Sequence, residues 1–439
     1  MNGIWKVLLA MCAALLLNGC ALRTVEEMYC LPKRSEQFSL LQSAIDLAMT
    51  DMEYSAPVAG ENQQTVQVAD LDGDGVEEYI LFAKANSEKP LQILVFSRQE
   101  EEYILRWVME SRGASFEQVE YAEIDEKPGL EMVVGKRVSD QVLRALSVYT
   151  FSSGAPEQLM SSNYYKFLTC DLDQRNNTEL MLIHPGQAEG DKGLVMLYSF
   201  DNGEMVRSRE CELSQPADNI KRIMVSELYS GQSAVYIASS VEESAIITDI
   251  FAMKYGEFTN ISLSNESGTS VQTMRNYYVY ADDVDNDGVL DLPDLINMQP
   301  ISESSSVTQQ YLIRWYSMDL YGNETDRLHT FHNFVGGWYL ELDSLWAERV
   351  SVIQKNGVYK FYVWNEDFSS ASHVFSIFTL TGADREEAAV KDGGFVLYRM
   401  DTVLYAARLE DSARKYDIFQ DDLSPYFNLI RQDWKTGET

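Results

Sequence analysis

The stretch Asp70-Leu71-Asp72-Gly73-Asp74-Gly75-Val76-Glu77-Glu78 sets three aspartates at alternate positions, a glycine at the sixth place and an acid at the ninth. Those residue types at that spacing build an oxygen cage. Calcium takes about six to eight oxygens at about 2.3–2.6 Å in a flexible arrangement. Asp70, Asp72, Asp74 and Glu78 offer side-chain oxygens, Val76 a carbonyl, and Gly75 the tight turn that bulkier residues resist. The same order returns at Asp283-Val284-Asp285-Asn286-Asp287-Gly288-Val289-Leu290-Asp291, with Asp283, Asp285, Asp287 and Asp291 as carboxylates and Val289 as the carbonyl. A solvated acidic turn needs no metal. Yet four carboxylates within about 4–5 Å repel by roughly 1 kcal/mol per pair even in water, and a turn that only needs polarity has no reason to alternate them. Calcium is therefore the expected cofactor at both loops.

Each loop must be held by what flanks it. The first is entered from Val66-Gln67-Val68-Ala69 and left through Tyr79-Ile80-Leu81-Phe82, both strand-like. With Asp70 as register mark, weaker copies start at Glu123, Asp171 and Ser226 before the intact copy at Asp283, in steps of 53, 48, 55 and 57 residues. Short apolar runs follow each mark, such as Met132-Val133-Val134 and Leu180-Met181-Leu182-Ile183. A second mark, an apolar residue before an aromatic, recurs at Val95-Phe96, Val148-Tyr149, Leu197-Tyr198, Ile250-Phe251, Trp315-Tyr316 and Ile377-Phe378. Two marks advancing together define units of about 50 residues with four strand-like runs, the size of a four-stranded propeller blade.

The loops resemble the FG-GAP (VCBS-type) repeat of integrin-alpha-like β-propellers, whose blades carry D-x-D-x-D-G-x-x-D/E between their first two strands. The resemblance implies calcium at the two intact loops and an all-β propeller over residues 65–410. Seven blades are favoured, with Val374 to Leu409 as the seventh, and six are the alternative. It names neither ligand nor reaction. In the second copy Lys127 stands among the acids, and in the third Arg175, so these are expected to be salt-bridged turns; the fourth has lost its acids. An EF-hand reading stays open for the fifth loop alone, where Asp294 falls at the twelfth position; Leu81 occupies that place in the first. Pro293 leaves the following strand in doubt, because proline cannot donate to a central ladder.

The flanking segments complete the plan. Residues 1–19 carry Lys6 and then the apolar run Val7 to Leu17, too short for a membrane span and suited to a secretory leader. The run ends Leu17-Asn18-Gly19-Cys20, which resembles a bacterial lipobox, so Cys20 is the expected lipid attachment site and the outer face of the cell membrane the expected location. Residues 20–64 read as a tether with a helix, its apolar face at Phe38, Leu41, Ile45, Ala48 and Met49. Residues 411–439 read as a C-terminal helix and polar tail. Cys30, Cys170 and Cys211 form no disulfide framework; Cys170 and Cys211 could pair, though burial in a strand suffices for Cys170.

Composition and charge narrow the function. Apolar content of 45%, with Tyr 25, Phe 18 and Trp 7, supplies a large core tilted toward strands. A net charge of −33, from 68 acids against 35 bases, argues against nucleic acid, whose phosphates need cations, and against polybasic membrane contact. The sequence has no nucleophile elbow and no phosphate-binding glycine loop. His329 and His332 fall on opposite sides of a strand-like run and read as ordinary surface histidines. With the repeats filling most of the chain, the expected role is non-catalytic binding of a surface protein or glycan. The alternative is a propeller-scaffolded polysaccharide lyase or hydrolase.

Overall fold

The computed structural model describes residues 36–139, 144–175, 177–242, 245–276, 279–301, 310–342 and 346–430. The leader, the lipobox with Cys20, and Cys30 lie outside the described residues. Among the described residues no helix is long and apolar enough to cross a membrane. Two compact units emerge, each built around antiparallel sheet.

The first unit comprises residues 36–56, 64–69 and 76–113. Its helix α1 (Glu36–Ala48) carries Leu41 and Ile45 four residues apart, hence on one face. Both are buried against Leu81, Ala83, Leu94 and Phe96 of the sheet, worth about 1.5–3 kcal/mol each. Phe38, expected on that face, is 66% exposed. The sheet is formed by β1 (Met52–Tyr54), β2 (Val66–Ala69), β3 (Glu78–Ala85), β4 (Leu91–Gln99) and β5 (Glu102–Ser111). Its order is β1-β3-β4-β5, with β2 also paired to β3.

The second unit comprises residues 57–63, 70–75 and 114 onward. One sheet holds β6 (Ser115–Ala122), β7 (Glu131–Arg137), β8 (Arg144–Thr150) and β9 (Glu157–Tyr164), and the next β10 (Lys166–Cys170), β11 (Glu179–His184), β12 (Leu194–Asp201) and β13 (Glu204–Glu212). A third has β14 (Ile220–Glu227), β15 (Ser233–Val241), β16 (Ala245–Lys254) and β17 (Glu257–Asn260). In the fourth, β18 (Leu292–Asn297), β19 (Tyr311–Met318), β20 (Glu324–Asn333) and β21 (Trp338–Leu342) are joined at the edge by β27 (Phe427–Leu429). The fifth contains β22 (Val350–Lys355), β23 (Val358–Val363), β24 (Ser372–Thr381), β25 (Phe395–Arg399) and β26 (Val403–Leu409), with α2 (Arg385–Val390) between β24 and β25.

Within this unit each sheet packs on the next, and the apolar runs explain how. On β11, Leu180 and Leu182 share a core with Val133 and Val148 of the preceding sheet, while Met181 and Ile183 share another with Val235 and Ile237 of the following one. Alternate side chains leave opposite faces of a strand, so a strand covered on both sides reads as an unbroken apolar run. The same division recurs on β15, whose Ala234 and Tyr236 pack toward Leu292 and Tyr316. Trp338, Phe331 and Phe361 then join the last two sheets.

Three expectations change. The described strands form six sheets, and the run Val374 to Leu409 is not a sheet of its own: β24, β25 and β26 extend the ladder begun by β22 and β23. The C-terminal segment forms 3-10 turns at Asp411–Tyr416 and Gln420–Asp422 and the strand β27, rather than a helix. Pro293 lies inside β18, opposite Trp315; β18 ends the sheet, so its missing N–H leaves no central ladder bond unmade. Cys170 and Cys211 are free thiols, and burial raises both their pKa values.

Candidate metal centre

In the second and third copies, as in the first, the acidic loop connects two paired strands, and the ninth residue opens the second strand. Ala69 pairs with Glu78, Ala122 with Glu131, and Cys170 with Glu179. In the fifth loop the first strand is reduced to a bridge between Asp282 and Asp291. The ninth-position acid is buried every time: Glu78, Glu131, Glu179 and Asp291 are 1%, 2%, 4% and 0% exposed. Burial is compensated by hydrogen bonds. Glu131 Oε2 accepts from the amides of Ile124 (2.7 Å) and Asp125 (3.0 Å), and Glu179 Oε2 from that of Leu172 (2.8 Å). Glu78 Oε1 accepts from Ser97 Oγ at 3.2 Å and lies 3.5 Å from Arg106 Nη1. This acid therefore ties a loop to its strand even where the rest of the motif has decayed.

A further regularity lies at the fourth position, which the sequence reading passed over. Gly73, Glu126, Gln174 and Asn286 all have left-handed backbone, with φ of 73°, 61°, 56° and 60°. Only one is glycine, so residue type hides a conformation that all four loops share. At the sixth place Gly75 and Gly288 are left-handed too, with φ of 85° and 88°. The first aspartate fixes that turn: Asp70 Oδ2 accepts from the Gly75 amide and Asp283 Oδ2 from the Gly288 amide, both at 3.0 Å.

In the second unit the loops form a continuous row, each touching the next. The Leu130 amide donates to the Asp70 carbonyl (3.0 Å) and the Thr178 amide to the Glu123 carbonyl (2.8 Å). Gln174 Nε2 donates to the Gly231 carbonyl at 2.9 Å and Ser226 Oγ to that of Gly288 at 3.2 Å.

The acids are brought together unevenly. Asp283, Asp285 and Asp287 offer carboxylate oxygens within 4.8 Å of one another, as do Asp171, Asp173 and Glu179 in the third loop. Asp70 and Asp72 meet the same limit in the first loop, where Asp74 does not join them. Asp74 and Val76 are exposed, and Val289 bridges Glu227 of the neighbouring turn. Asp294 stays out of the fifth cluster; it sits in β18, 3.8 Å from Arg314 Nη1. The third loop is a grouping the sequence reading missed. Its Arg175 does pair with Asp173 at 3.3 Å, and Lys127 with Asp125 at 3.2 Å, as salt-bridged turns require.

The fifth loop has the sharpest electrostatics. Asp291 Oδ1 accepts from Ser317 Oγ at 3.0 Å, whereas Asp291 Oδ2 is buried without a hydrogen-bond partner. Burial, reinforced by Asp285 and Asp283, pushes its pKa up to about 6 against the opposing bonds from Ser317 and the Val284 amide. Arg327, projecting from β20, contacts Asp285 (2.9 Å), Asp287 and Asp291 (3.8 Å). One guanidinium against four carboxylates leaves the loop anionic, which suits a divalent ion with oxygen ligands.

His329 and His332, expected at the surface, are 8% and 9% exposed. They lie in β20, which packs inside the sheet stack, and strand spacing alone could not say how deeply.

No protein-family model matches the chain, and no curated protein matches it. Similar solved structures include a rhamnogalacturonan lyase of Bacillus licheniformis, at 11% identity and TM-score 0.29 over 73% of this chain and 71% of that one. The β-propeller domain of the trilobed protease from Pyrococcus furiosus is 10% identical with TM-score 0.29, over 75% of this chain and 90% of that one. TolB from Acinetobacter baumannii is 10% identical with TM-score 0.25, over 76% and 68%. Similarity at that level assigns neither a fold nor a reaction to this chain.

Proposed function

We propose that the chain is a lipid-anchored, extracytoplasmic β-propeller that binds calcium in its acidic loops and a surface protein or glycan partner without catalysis. The observation that carries the calcium reading is the fifth loop, where Asp283, Asp285 and Asp287 gather their carboxylate oxygens within 4.8 Å and the ninth-position Asp291 is wholly buried with one carboxylate oxygen lacking a hydrogen bond. A buried carboxylate oxygen without a hydrogen bond is costly, and a calcium ion held by Asp283, Asp285, Asp287 and Asp291 would offset that cost. The first loop, with Asp70, Asp72 and Glu78 in the same motif positions, is the second site. Sequential sheets of the second unit that share cores, with the loop recurring at a period of about 50 residues in the earlier ones, support reading them as blades. The leader and Leu17-Asn18-Gly19-Cys20 support lipidation.

Calorimetric titration of calcium into the chelator-treated full chain in detergent tests the metal. A ligand present at about ten times Kd adds roughly 1.4 kcal/mol per site, and the Asp72→Ala plus Asp285→Ala double variant should lose that gain. Identical melting with calcium and with chelator would overturn the calcium reading. Cys20→Ala should shift the protein from the detergent phase to the medium. Retention at the membrane with an uncleaved leader would refute the anchor.

A further inference from the structure

A cavity of about 420 Å³ opens between the last two sheets of the second unit, lined from β18, β19, β20, β22 and β23. That volume falls in the range of about 300–1,000 Å³ typical of small-molecule sites. Its lining is unusual for this protein. The chain as a whole is 23% charged, yet among the described residues no Asp, Glu, Lys or Arg lines the cavity. Aromatic rings come from Tyr311, Phe334, Tyr359 and His332, and carboxamides from Gln310, Asn333 and Gln354.

The walls are prearranged. Asn333 Oδ1 accepts from Tyr359 Oη and from the Gly336 amide, both at 2.9 Å, which fixes the plane of the amide. The His332 ring stands 5.0 Å from Tyr339 and 5.4 Å from Phe334, centroid to centroid. Burial holds its imidazole down to about 3, so it is neutral at physiological pH. Tyr311 is 38% exposed and Gln354 is exposed as well, leaving both accessible to an incoming ligand.

We propose that this cavity binds a neutral saccharide unit through the Tyr311 and Tyr359 rings and the Asn333 and Gln354 amides. A charged ligand would meet no counter-charge there. A wholly apolar ligand would strip water from the amides without replacing their hydrogen bonds, which disfavours it. A sugar ring offers an apolar face for the aromatics and hydroxyls for the amides. The inference rests on the binding role proposed above and deepens it by choosing glycan over surface protein.

The test is an array of neutral oligosaccharides (glucan, mannan, xylan, galactan and N-acetylglucosamine series) beside oligogalacturonate, probed with the full chain in detergent and calcium. Binding of at least one neutral series is expected. Tyr311→Ala and Gln354→Ala should each weaken it roughly tenfold or more with unchanged melting temperature. Tyr255→Ala, which removes an 81% exposed aromatic that does not line the cavity, should leave it unchanged. Failure of every neutral series, binding of oligogalacturonate alone, or equal losses in all three variants would overturn the proposal. The calcium titration is independent of these outcomes, so failure here is distinguishable from failure of the calcium reading.

Discussion

Arg327 Nη2 lies 2.9 Å from Asp285 Oδ2, although 42 residues separate them in sequence (327 − 285). In the second and third loops the compensating cation is internal: Lys127 faces Asp125 and Arg175 faces Asp173. In the fifth loop it arrives from β20 and competes with any metal for the same carboxylates.

Arg327→Gln should therefore tighten calcium binding at the fifth loop. A divalent ion about 5 Å from a unit positive charge is repelled by about 1.7 kcal/mol even at the dielectric of water, which corresponds to a gain in affinity of roughly fifteenfold. Without calcium the same variant should melt lower, because the acids lose their counter-charge. Calorimetry and melting in chelator read the two effects. Unchanged affinity would mean that the ion, if bound, sits away from Asp285 and Asp287.

The row of loops makes two neighbouring glycines unequal. A Cβ on Gly73 would stand 2.4 Å from the Pro128 carbonyl carbon and 2.6 Å from the Gly129 nitrogen. At Gly75 it would meet nothing within 4 Å, although both positions are left-handed. Gly75→Ala should cost about 1–2 kcal/mol, the left-handed penalty alone. Gly73→Ala should cost about 1–3 kcal/mol more, from the added clash. Denaturant unfolding of the two variants measures the difference, and equal losses would contradict the packing of the first loop against residues 128–130.

Much of this architecture was legible because repetition is a property of the chain. The loop spacing, the acid at the ninth place and the apolar central strands all follow from residue type and period, whereas the burial of that acid does not. The sheet count was less legible, because the runs at Phe395 and Val403 read as strands but nothing local says that they join the ladder of β22 and β23. Left-handed backbone at Glu126, Gln174 and Asn286 could not be read from residues that adopt it only under constraint. Arg327 carried no motif, and its role arises from the pairing of β19 with β20. His329 and His332 were placed on a strand correctly, but depth depends on neighbouring sheets.

Glu179 is pushed up to about 7, chiefly by burial and further by Asp173 and Asp171, against the Leu172 amide. Folded protein keeps that proton up to about 7, whereas an unfolded chain releases it near the ordinary 4.5. Between those values the folded state binds more protons, so this contribution to stability falls as pH rises. His332 acts in the opposite sense. Burial holds it down to about 3, against an ordinary 6.5, so the unfolded chain binds more protons in between and stability rises with pH. The two slopes overlap and oppose each other from 4.5 to 6.5. In chelator, Glu179→Gln should make the slope of stability against pH more positive than in wild type across that window, and His332→Gln more negative, with the falling contribution of Asp291 common to all three proteins. Denaturation midpoints at about pH 4.5, 5.5 and 6.5 would show it, bracketing the overlap of the two titrations. Profiles parallel to wild type in both variants would mean that neither group titrates as its burial dictates.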